Sequence, residues 1–340
     1  MKKEDGHSSK GTYVLTVDLG YKIKLFRYLG LKTPQANDRI FKDFQKELGE
    51  RIAATMPDCQ VRTINMRDLA EKILAKAYKK VGGLKNAVVV SSCNEIATLG
   101  RGYTIEINRV VDSEGVIKGI GPRPGYPAMS DQLNGIAAMV SGRPVVLVED
   151  GSFTGNTMRY IVRKLKDRNV PVACIVLGFA FANAIAEIRK EYNGEIITIE
   201  EMKNIVDWMP DHDFVPFAPN CGRTFGISVN GSAYPFYTHD GAAYGIPYIK
   251  PFAPMSDWTS IPEKGTYDIS IFCLQWTTDL FKTLGELNGR ELQIRDIIGS
   301  GPARVTIPIA VGHKKFLEQL DRPVVDYLKS IYEHGILHLD

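Results

Sequence analysis

The 340-residue sequence is poor in cysteine: five thiols, at positions 59, 93, 174, 221 and 273, with no CxxC pair among them. Such spacing builds neither a zinc ribbon nor a dense disulfide framework, and reduced thiols in a cytoplasmic protein are the expectation. The sequence also lacks the run of about 18 apolar residues that a membrane-spanning helix needs. Its best candidate, 170–186, is interrupted by Pro171, Gly178 and Asn183. Residues 1–11 carry basic side chains without a following apolar segment, so they predict a flexible tail rather than a secretory signal. A dominant charge is missing too. Forty-two Lys plus Arg face 39 Asp plus Glu, and the net +3 does not indicate a nucleic-acid partner. His212, His239 and His313 stand in no HxH or HExxH spacing, so no protein-held metal is expected.

What is present is a globular composition, 44 % hydrophobic and 24 % charged. The length exceeds the roughly 250 to 300 residues at which a single hydrophobic core stops growing, so more than one compact unit is expected. Ile40, Phe41, Phe44, Leu48, Ile52 and Ala53 recur at steps of three and four. Leu69, Ile73, Leu74, Ala77 and Val81 do the same ahead of Gly82-Gly83. Both stretches predict amphipathic helices, 38–54 and 66–81, and a strand is predicted at 13–17. After residue 83 the pattern changes. Segments 87–90, 145–148, 172–177 and 195–199 are short, β-branched and apolar at both parities, as strands buried on both faces of a parallel sheet are. Met158, Ile161, Val162 and Leu165 place a helix between the second and third, completing a β-α-β unit. Residues 210–265 are dense in Gly, Pro and aromatic side chains and read as short strands and ordered loops. Residues 313–332 read as helix, kinked or split at Pro323. The expected chain is α/β: a helical extension (1–84), a core of parallel sheet flanked by helices (85–204), and a Gly/Pro/aromatic-rich C-terminal cover or second small domain (205–340).

The stretch that carries chemistry is 145–157, which reads Val-Val-Leu-Val-Glu-Asp-Gly-Ser-Phe-Thr-Gly-Asn-Thr. A buried strand delivers Glu149 and Asp150 to its C-terminal end, and a short hydroxyl-bearing loop then opens a helix. Unpaired N–H groups at a helix N-terminus attract phosphate, and Ser152, Thr154 and Thr157 add donors. Gly151 and Gly155 allow a ligand close to the backbone. The carboxylates accept hydrogen bonds from vicinal hydroxyls, as acidic residues do for ribose in dinucleotide sites. A diol plus a phosphate describes a ribose 5-phosphate. A plain core strand ending in a polar turn, with Thr154 or Asn156 as helix cap, uses the same residue types. The full run of acid, acid, small, small, Thr, Gly, x, Thr is longer than a cap requires.

At these residues the sequence resembles the type I phosphoribosyltransferase family, whose signature is four apolar residues, two acids and a small, hydroxyl-rich loop ending in Thr-Gly-x-Thr or a close variant. The resemblance implies a phosphoribosyltransferase-like (PRTase-like) fold over about 85–200. It implies Glu149 and Asp150 on the ribose hydroxyls of phosphoribosyl pyrophosphate (PRPP), with Gly151, Ser152, Phe153, Thr154, Gly155, Asn156 and Thr157 around its 5-phosphate. Mg²⁺ would be carried on the pyrophosphate, and a phosphoribosyl group would pass to a nitrogenous acceptor. Asp150 and Arg123 are the expected catalytic groups, Arg123 arriving on a closing loop at 119–127. Residues 91–97 are the candidate pyrophosphate loop, and Arg101 is a second candidate cation. The expected partners are a small phosphoribosyl or nucleotide ligand and further copies of the chain in a homo-oligomer. Phe153 stands where members acting on 6-oxopurines carry an Asp, so no general base is expected there. Gly151 and Ser152 replace the usual apolar pair. The same fold also serves non-catalytic sensors that bind PRPP or a nucleotide and signal to a partner, which is the alternative reading.

Other signals are weaker. Residues 14–20, Val-Leu-Thr-Val-Asp-Leu-Gly, are similar to the first phosphate motif of the sugar kinase and actin class, but no second phosphate loop or adenosine motif follows. Asp211-His212-Asp213 and His239-Asp240 supply either a base or an ordinary turn. Cys221, in Asn-Cys-Gly-Arg, is a candidate thiolate if Arg223 or a helix terminus lowers its pKa and a His pairs with it. Lys22 and Lys24, like Lys79 and Lys80, are expected on solvated faces.

Overall fold

The computed structural model describes residues 11–100, 102–200, 202, 204–238, 241–298, 303, 305–312 and 320–334. From the N-terminus run β1 (Gly11–Val17), α1 (Leu19–Lys24), α2 (Arg39–Thr55), β2 (Cys59–Asn65), α3 (Met66–Gly82), β3 (Val88–Ser91), α4 (Asn94–Leu99), β4 (Tyr103–Thr104), β5 (Ile107–Val111) and β6 (Ile117–Pro122). There follow α5 (Met129–Val140), β7 (Val145–Ser152), α6 (Asn156–Lys166), β8 (Val172–Ala180), α7 (Ala182–Arg189), β9 (Glu195–Thr198) and β10 (Ile205–Pro210). The remainder comprises β11 (Arg223–Val229), β12 (Ser232–Pro235), β13 (Tyr244–Ile246), α8 (Met255–Thr259), α9 (Glu263–Asn288), α10 (Ile294–Ile297), β14 (Ile307–Pro308) and α11 (Val324–His334). The chain divides into two compact units. One comprises 1–63, 109–119 and 206–340, the other 64–108 and 120–205.

The second unit is an α/β layer structure. Its sheet has the order β4-β3-β7-β8-β9, with all four neighbouring pairs parallel. The apolar runs behave as their composition dictates: Val145, Val146, Leu147 and Val148 are at most 2 % exposed, so both faces of β7 are covered. One face packs Val145, Leu147, Ile175 and Leu177 against Leu133 and Ile136 of α5 and Ile161 and Leu165 of α6. On the other face lies α3, whose Leu69 side chain reaches so near Gly178 of β8 that a Cβ there would meet it. The helix predicted at 66–81 therefore flanks the parallel sheet. Asn65 starts it, its side-chain oxygen accepting the N–H groups of Arg67 (2.9 Å) and Asp68 (3.2 Å).

The first unit holds a three-stranded sheet, β10-β1-β2, and a larger one ordered β14-β13-β11-β5-β6 with β12 on β11. Its core is threaded by the 26-residue α9, a helix that residue periodicity does not announce. Phe272 of α9 stacks on Phe44 of α2 with centroids 5.5 Å apart, and Phe281 meets Phe26 and Phe217 edge-on. The aromatic-rich stretch 210–265 supplies β11, β12, β13 and α8, as short strands between ordered loops. Helix α11 begins just after Pro323, where a proline permits a helix to start. Residues 313–319, within the helix predicted there, lie outside the described residues. None of the five cysteines forms a disulfide. Among the described residues no helix is long and apolar enough to cross a membrane.

Candidate functional site

β7 is the middle strand of the parallel sheet, and the two strands at its centre lead away in opposite directions. β3 passes through α4 to β4 on one side, β7 through α6 to β8 on the other. The crevice at the carboxyl ends of β3 and β7 is thus a topological switch point, where open α/β sheets hold ligands. Ser92, the residue after β3, donates its hydroxyl to the Glu149 carboxylate across that crevice. Its N–H donates to the Val148 carbonyl at 3.2 Å. The Ser91 hydroxyl folds the chain towards α4, donating to the Cys93 carbonyl at 2.7 Å and accepting the Cys93 N–H at 3.1 Å. Two segments read separately in the sequence, 91–97 and 149–157, therefore meet.

The loop between β7 and α6 is shorter than expected. Gly151 and Ser152 are the last residues of β7, buried and in register with Phe179 and Ala180 of β8. Strand pairing with β8 outcompetes the loop conformation there, leaving 153–155 as the connection. Phe153 packs edge-on against Phe181, centroids 4.4 Å apart, which anchors the connection to the start of α7. Gly155 precedes α6 with φ +77°, and a Cβ there would lie 2.5 Å from the Ala184 carbonyl oxygen, so only glycine fits. Thr154 Oγ1 accepts the Asn156 N–H at 3.4 Å, and no side-chain cap completes the helix start. Thr154 and Asn156 are exposed and Thr157 half-buried. Arg159 pairs with Glu187, tying α6 to α7.

Glu149 and Asp150 are both half-buried. Because β7 continues beyond them, successive side chains leave on opposite faces of the strand. Asp150 Oδ1 accepts the Gly151 N–H at 2.9 Å, and its carbonyl lies against Gly178, where a Cβ would collide. The two acids expected to hold one diol are thus set apart, and the crevice offers the Glu149 carboxylate, a helix start with its positive dipole end, and the hydroxyls of Thr154 and Thr157.

The segment expected to close over the site is fixed at both ends. Gly119 to Pro122 belong to β6, and Arg123 to Tyr126 form a turn closed by the Tyr126 N–H on the Arg123 carbonyl (3.1 Å), with Gly125 at φ +79°. The Arg123 N–H donates to the Glu106 carbonyl at 3.1 Å, and its Nε lies 3.6 Å from the Glu106 carboxylate. Gln132 brackets Glu106, accepting its N–H at 2.8 Å and donating to its carbonyl at 3.1 Å. Arg101, His239, Asp240 and His313 lie outside the described residues.

The first unit contains a buried charged cluster assembled from residues some 190 positions apart. Asp211 accepts the backbone N–H of Asp18 (3.0 Å) and of Leu19 (3.1 Å), and Gln45 Nε2 at 2.8 Å. His212 Nδ1 lies 2.6 Å from Asp18 Oδ1, and Lys22 Nζ 3.5 Å from Asp18 Oδ2. Lys22 is thus buried at 3 % exposure, not solvated, because Asp18 offers it a partner one helical turn away. Burial alone would push the Asp18 carboxyl up, but the facing His212 and Lys22 hold it below the usual carboxylate range. Burial and the adjacent Asp18 carboxylate push Asp211 up to about 8. Asp213, also raised by burial, accepts the Gly222 N–H at 2.7 Å. One ligand atom each from Asp18, Asp211 and His212 would fall within 4.8 Å of the others, yet these atoms are engaged by Lys22, Gln45 and backbone donors. The phosphate-motif likeness at 14–20 therefore marks a structural junction between β1, α1 and the 211–213 turn. Cys221 is not an activated thiol: burial, then the Asp213 carboxylate, push it well above its ordinary value.

Sequence reading missed Ser92 as the partner of Glu149 and Phe181 as the support of Phe153. No spacing rule reaches across 57 residues, although the position of Ser92 at the end of a buried strand is a local signal. No family model matches this chain, and no curated protein matches it. A solved structure of adenine phosphoribosyltransferase is similar to it, with a TM-score of 0.27 at 14 % identity, over 40 % of this chain and 79 % of that one.

Proposed function

We propose that the chain is a PRTase-like protein that binds PRPP, or a ribose 5-phosphate nucleotide, at the end of β7 and transfers the phosphoribosyl group to a nitrogenous acceptor. The observation that carries this reading is the switch-point crevice, where Ser92 and Glu149 join the ends of β3 and β7 beside the start of α6. The Glu149 carboxylate, held at the crevice by Ser92, accepts a sugar hydroxyl, and the N–H groups opening α6, with Thr154 and Thr157, receive the 5-phosphate. Mg²⁺ enters bound to the pyrophosphate and offsets the charge of that leaving group. With Phe153 packed on Phe181, no base comes from that position, so the acceptor supplies its own nucleophilicity.

A second reading, a sensor that binds the same ligand without turnover, is favoured by one observation: Arg123 is tied to Glu106 in a hydrogen-bonded turn rather than carried on an open loop. Calorimetric titration with PRPP and Mg²⁺, followed by pyrophosphate release across a panel of nitrogenous bases, separates the two. Release with any base is the transferase; binding without release is the sensor. Absence of PRPP binding, or unchanged affinity in Glu149→Gln, overturns both.

A further inference from the structure

Four Asn-Gly steps occur in the chain, at 134–135, 193–194, 230–231 and 288–289. An asparagine followed by glycine loses its amide unaided when the backbone nitrogen of the glycine attacks the side-chain carbonyl carbon, an approach that no Cβ on the glycine hinders. The attack needs a glycine N–H free of hydrogen bonds, a carboxamide free to turn, and a backbone that brings the two together. The fold withholds these conditions from two of the four steps. Asn134 lies within α5, where the Gly135 N–H belongs to the helix ladder, and its Oδ1 accepts Arg168 Nε at 2.8 Å. Asn288 ends α9. Its Oδ1 accepts the Lys32 N–H at 2.8 Å, and its Nδ2 donates to the Leu284 and Lys32 carbonyls at 2.7 and 3.0 Å. The Gly289 N–H donates to the Glu286 carbonyl at 3.2 Å.

Asn193 and Asn230 are exposed, and among the described residues neither their side chains nor the N–H groups of Gly194 and Gly231 have a hydrogen-bond partner. Their backbones separate them. Asn230 (φ 51°) and Gly231 (φ 77°) close the two-residue turn between Val229 and Ser232, the paired ends of β11 and β12, in the mirror image of a type I turn. There ψ at Asn230 is about +30°, which sets its carboxamide and the Gly231 nitrogen on nearly opposite sides of the Cα–C bond. Closing a five-membered ring needs them on the same side, so the hairpin must open first. Asn193 lies in the connection between α7 and β9, outside the left-handed region, and no hydrogen bond reaches its main chain among the described residues. Gly194 beside it is held: its carbonyl accepts Arg189 Nη1, and a Cβ there would meet the Tyr192 ring. Packing thus demands the glycine, and the nucleophile is fixed while the carboxamide turns freely.

We propose that Asn193-Gly194 is a self-modification site, at which the folded chain deamidates through a succinimide with water as co-reactant. The Gly194 nitrogen gives up its proton and bonds to Asn193 Cγ, the Cγ–Nδ2 bond breaks, and ammonia leaves with that proton. Water then opens the ring. Attack at one carbonyl leaves aspartate; attack at the other leaves isoaspartate, in which the main chain runs through the side-chain carbons and is one carbon longer. Either product places a new carboxylate two residues from Glu195, whose own carboxylate pairs with Lys80. The site precedes β9, at the amino ends of the parallel strands, whereas the crevice with Glu149 lies at their carboxyl ends. Either proposal therefore stands without the other.

The test is incubation of the full folded chain at neutral and at mildly alkaline pH, followed by tryptic digestion and mass spectrometry, with electron-transfer fragmentation to distinguish isoaspartate from aspartate. The tryptic segment 191–203 contains Asn193 as its one amide side chain. It is expected to gain about 1 Da with time, faster at the higher pH because the attacking nitrogen must lose its proton, with isoaspartate among the products. Asn134, Asn230 and Asn288 are expected to convert at least about tenfold more slowly, since each waits on local opening. In urea the four are expected to convert at similar rates, because the fold no longer sets the order. Asn193→Gln, at an exposed position, lengthens the side chain by one carbon, disfavours the five-membered ring and is expected to abolish the gain in 191–203. The proposal is overturned by no gain in 191–203 of the folded chain, by equal rates at the four steps in that chain, by Asn230 converting first, by the same order of rates in urea, or by a gain that persists in Asn193→Gln.

Discussion

Gly155 shows how one residue sets the geometry of the candidate site. It combines a left-handed φ of +77° with a Cβ position 2.5 Å from the Ala184 carbonyl oxygen. Gly155→Ala must therefore either shift α7 or flatten the helix start. We expect a loss of about 1 to 3 kcal/mol in stability, read by urea unfolding, together with weaker PRPP binding. Ser92 acts through its hydroxyl bond to Glu149. Ser92→Ala is expected to cost about 1 kcal/mol, less than the roughly 1.5 to 3 kcal/mol of a fully buried bond to a charged group because Glu149 is only half-buried. The same variant is expected to lower PRPP affinity, measured by calorimetry, by freeing the carboxylate to turn away. The run from Glu149 to Thr157 was legible as a candidate ligand site because residue types and order are local. The bond that orients Glu149 was not, since it depends on two strands lying side by side.

Among the elements, the buried parallel strands were the most readable: a run of β-branched residues covered on both faces leaves no polar parity to confuse the pattern. α9 was unreadable for the opposite reason. Thr266, Ser270, Thr277 and Thr278 are buried within it and interrupt its apolar faces. Each hydroxyl is satisfied inside the helix, as when Thr277 donates to the Cys273 carbonyl at 2.6 Å and Thr278 to that of Leu274 at 2.8 Å. Because those carbonyls belong to the helix, Thr278→Val is expected to change stability by less than about 1 kcal/mol. Leu274→Ala, which empties space in the core, should cost about 2 to 5 kcal/mol. Chemical denaturation of both variants checks the contrast, and equal losses would mean the hydroxyls bear on packing as well.

For the whole molecule the pH dependence of stability follows from the buried carboxyls. Asp211 is raised from 3.8 to about 8, so its stabilising protonated form is complete below about pH 4 and lost as pH rises through about 8. Asp18 is depressed and acts in the opposite sense: its contribution is present above its ordinary value and is lost only on strong acidification. Between pH 5 and 8 the wild-type urea midpoint, followed by tryptophan emission, should therefore fall with rising pH. Asp211→Asn, a neutral mimic that keeps an acceptor for the Asp18 and Leu19 N–H groups, should show a shallower slope. Asp213, also raised, leaves some slope behind. A slope as steep as that of wild type would place the titrating group elsewhere.

Composition and residue order were enough to establish an α/β chain, its helix-flanked parallel strands and the acidic, hydroxyl-rich stretch at the end of β7, because periodicity and turn chemistry act over a few residues. Folding decided that Ser92 meets Glu149, that Asp18, Asp211 and His212 form one buried network, and that Arg223 stacks on Trp258. Each of these joins side chains 35 to almost 200 positions apart, and their energies arise from burial and strand pairing, which a linear pattern does not contain.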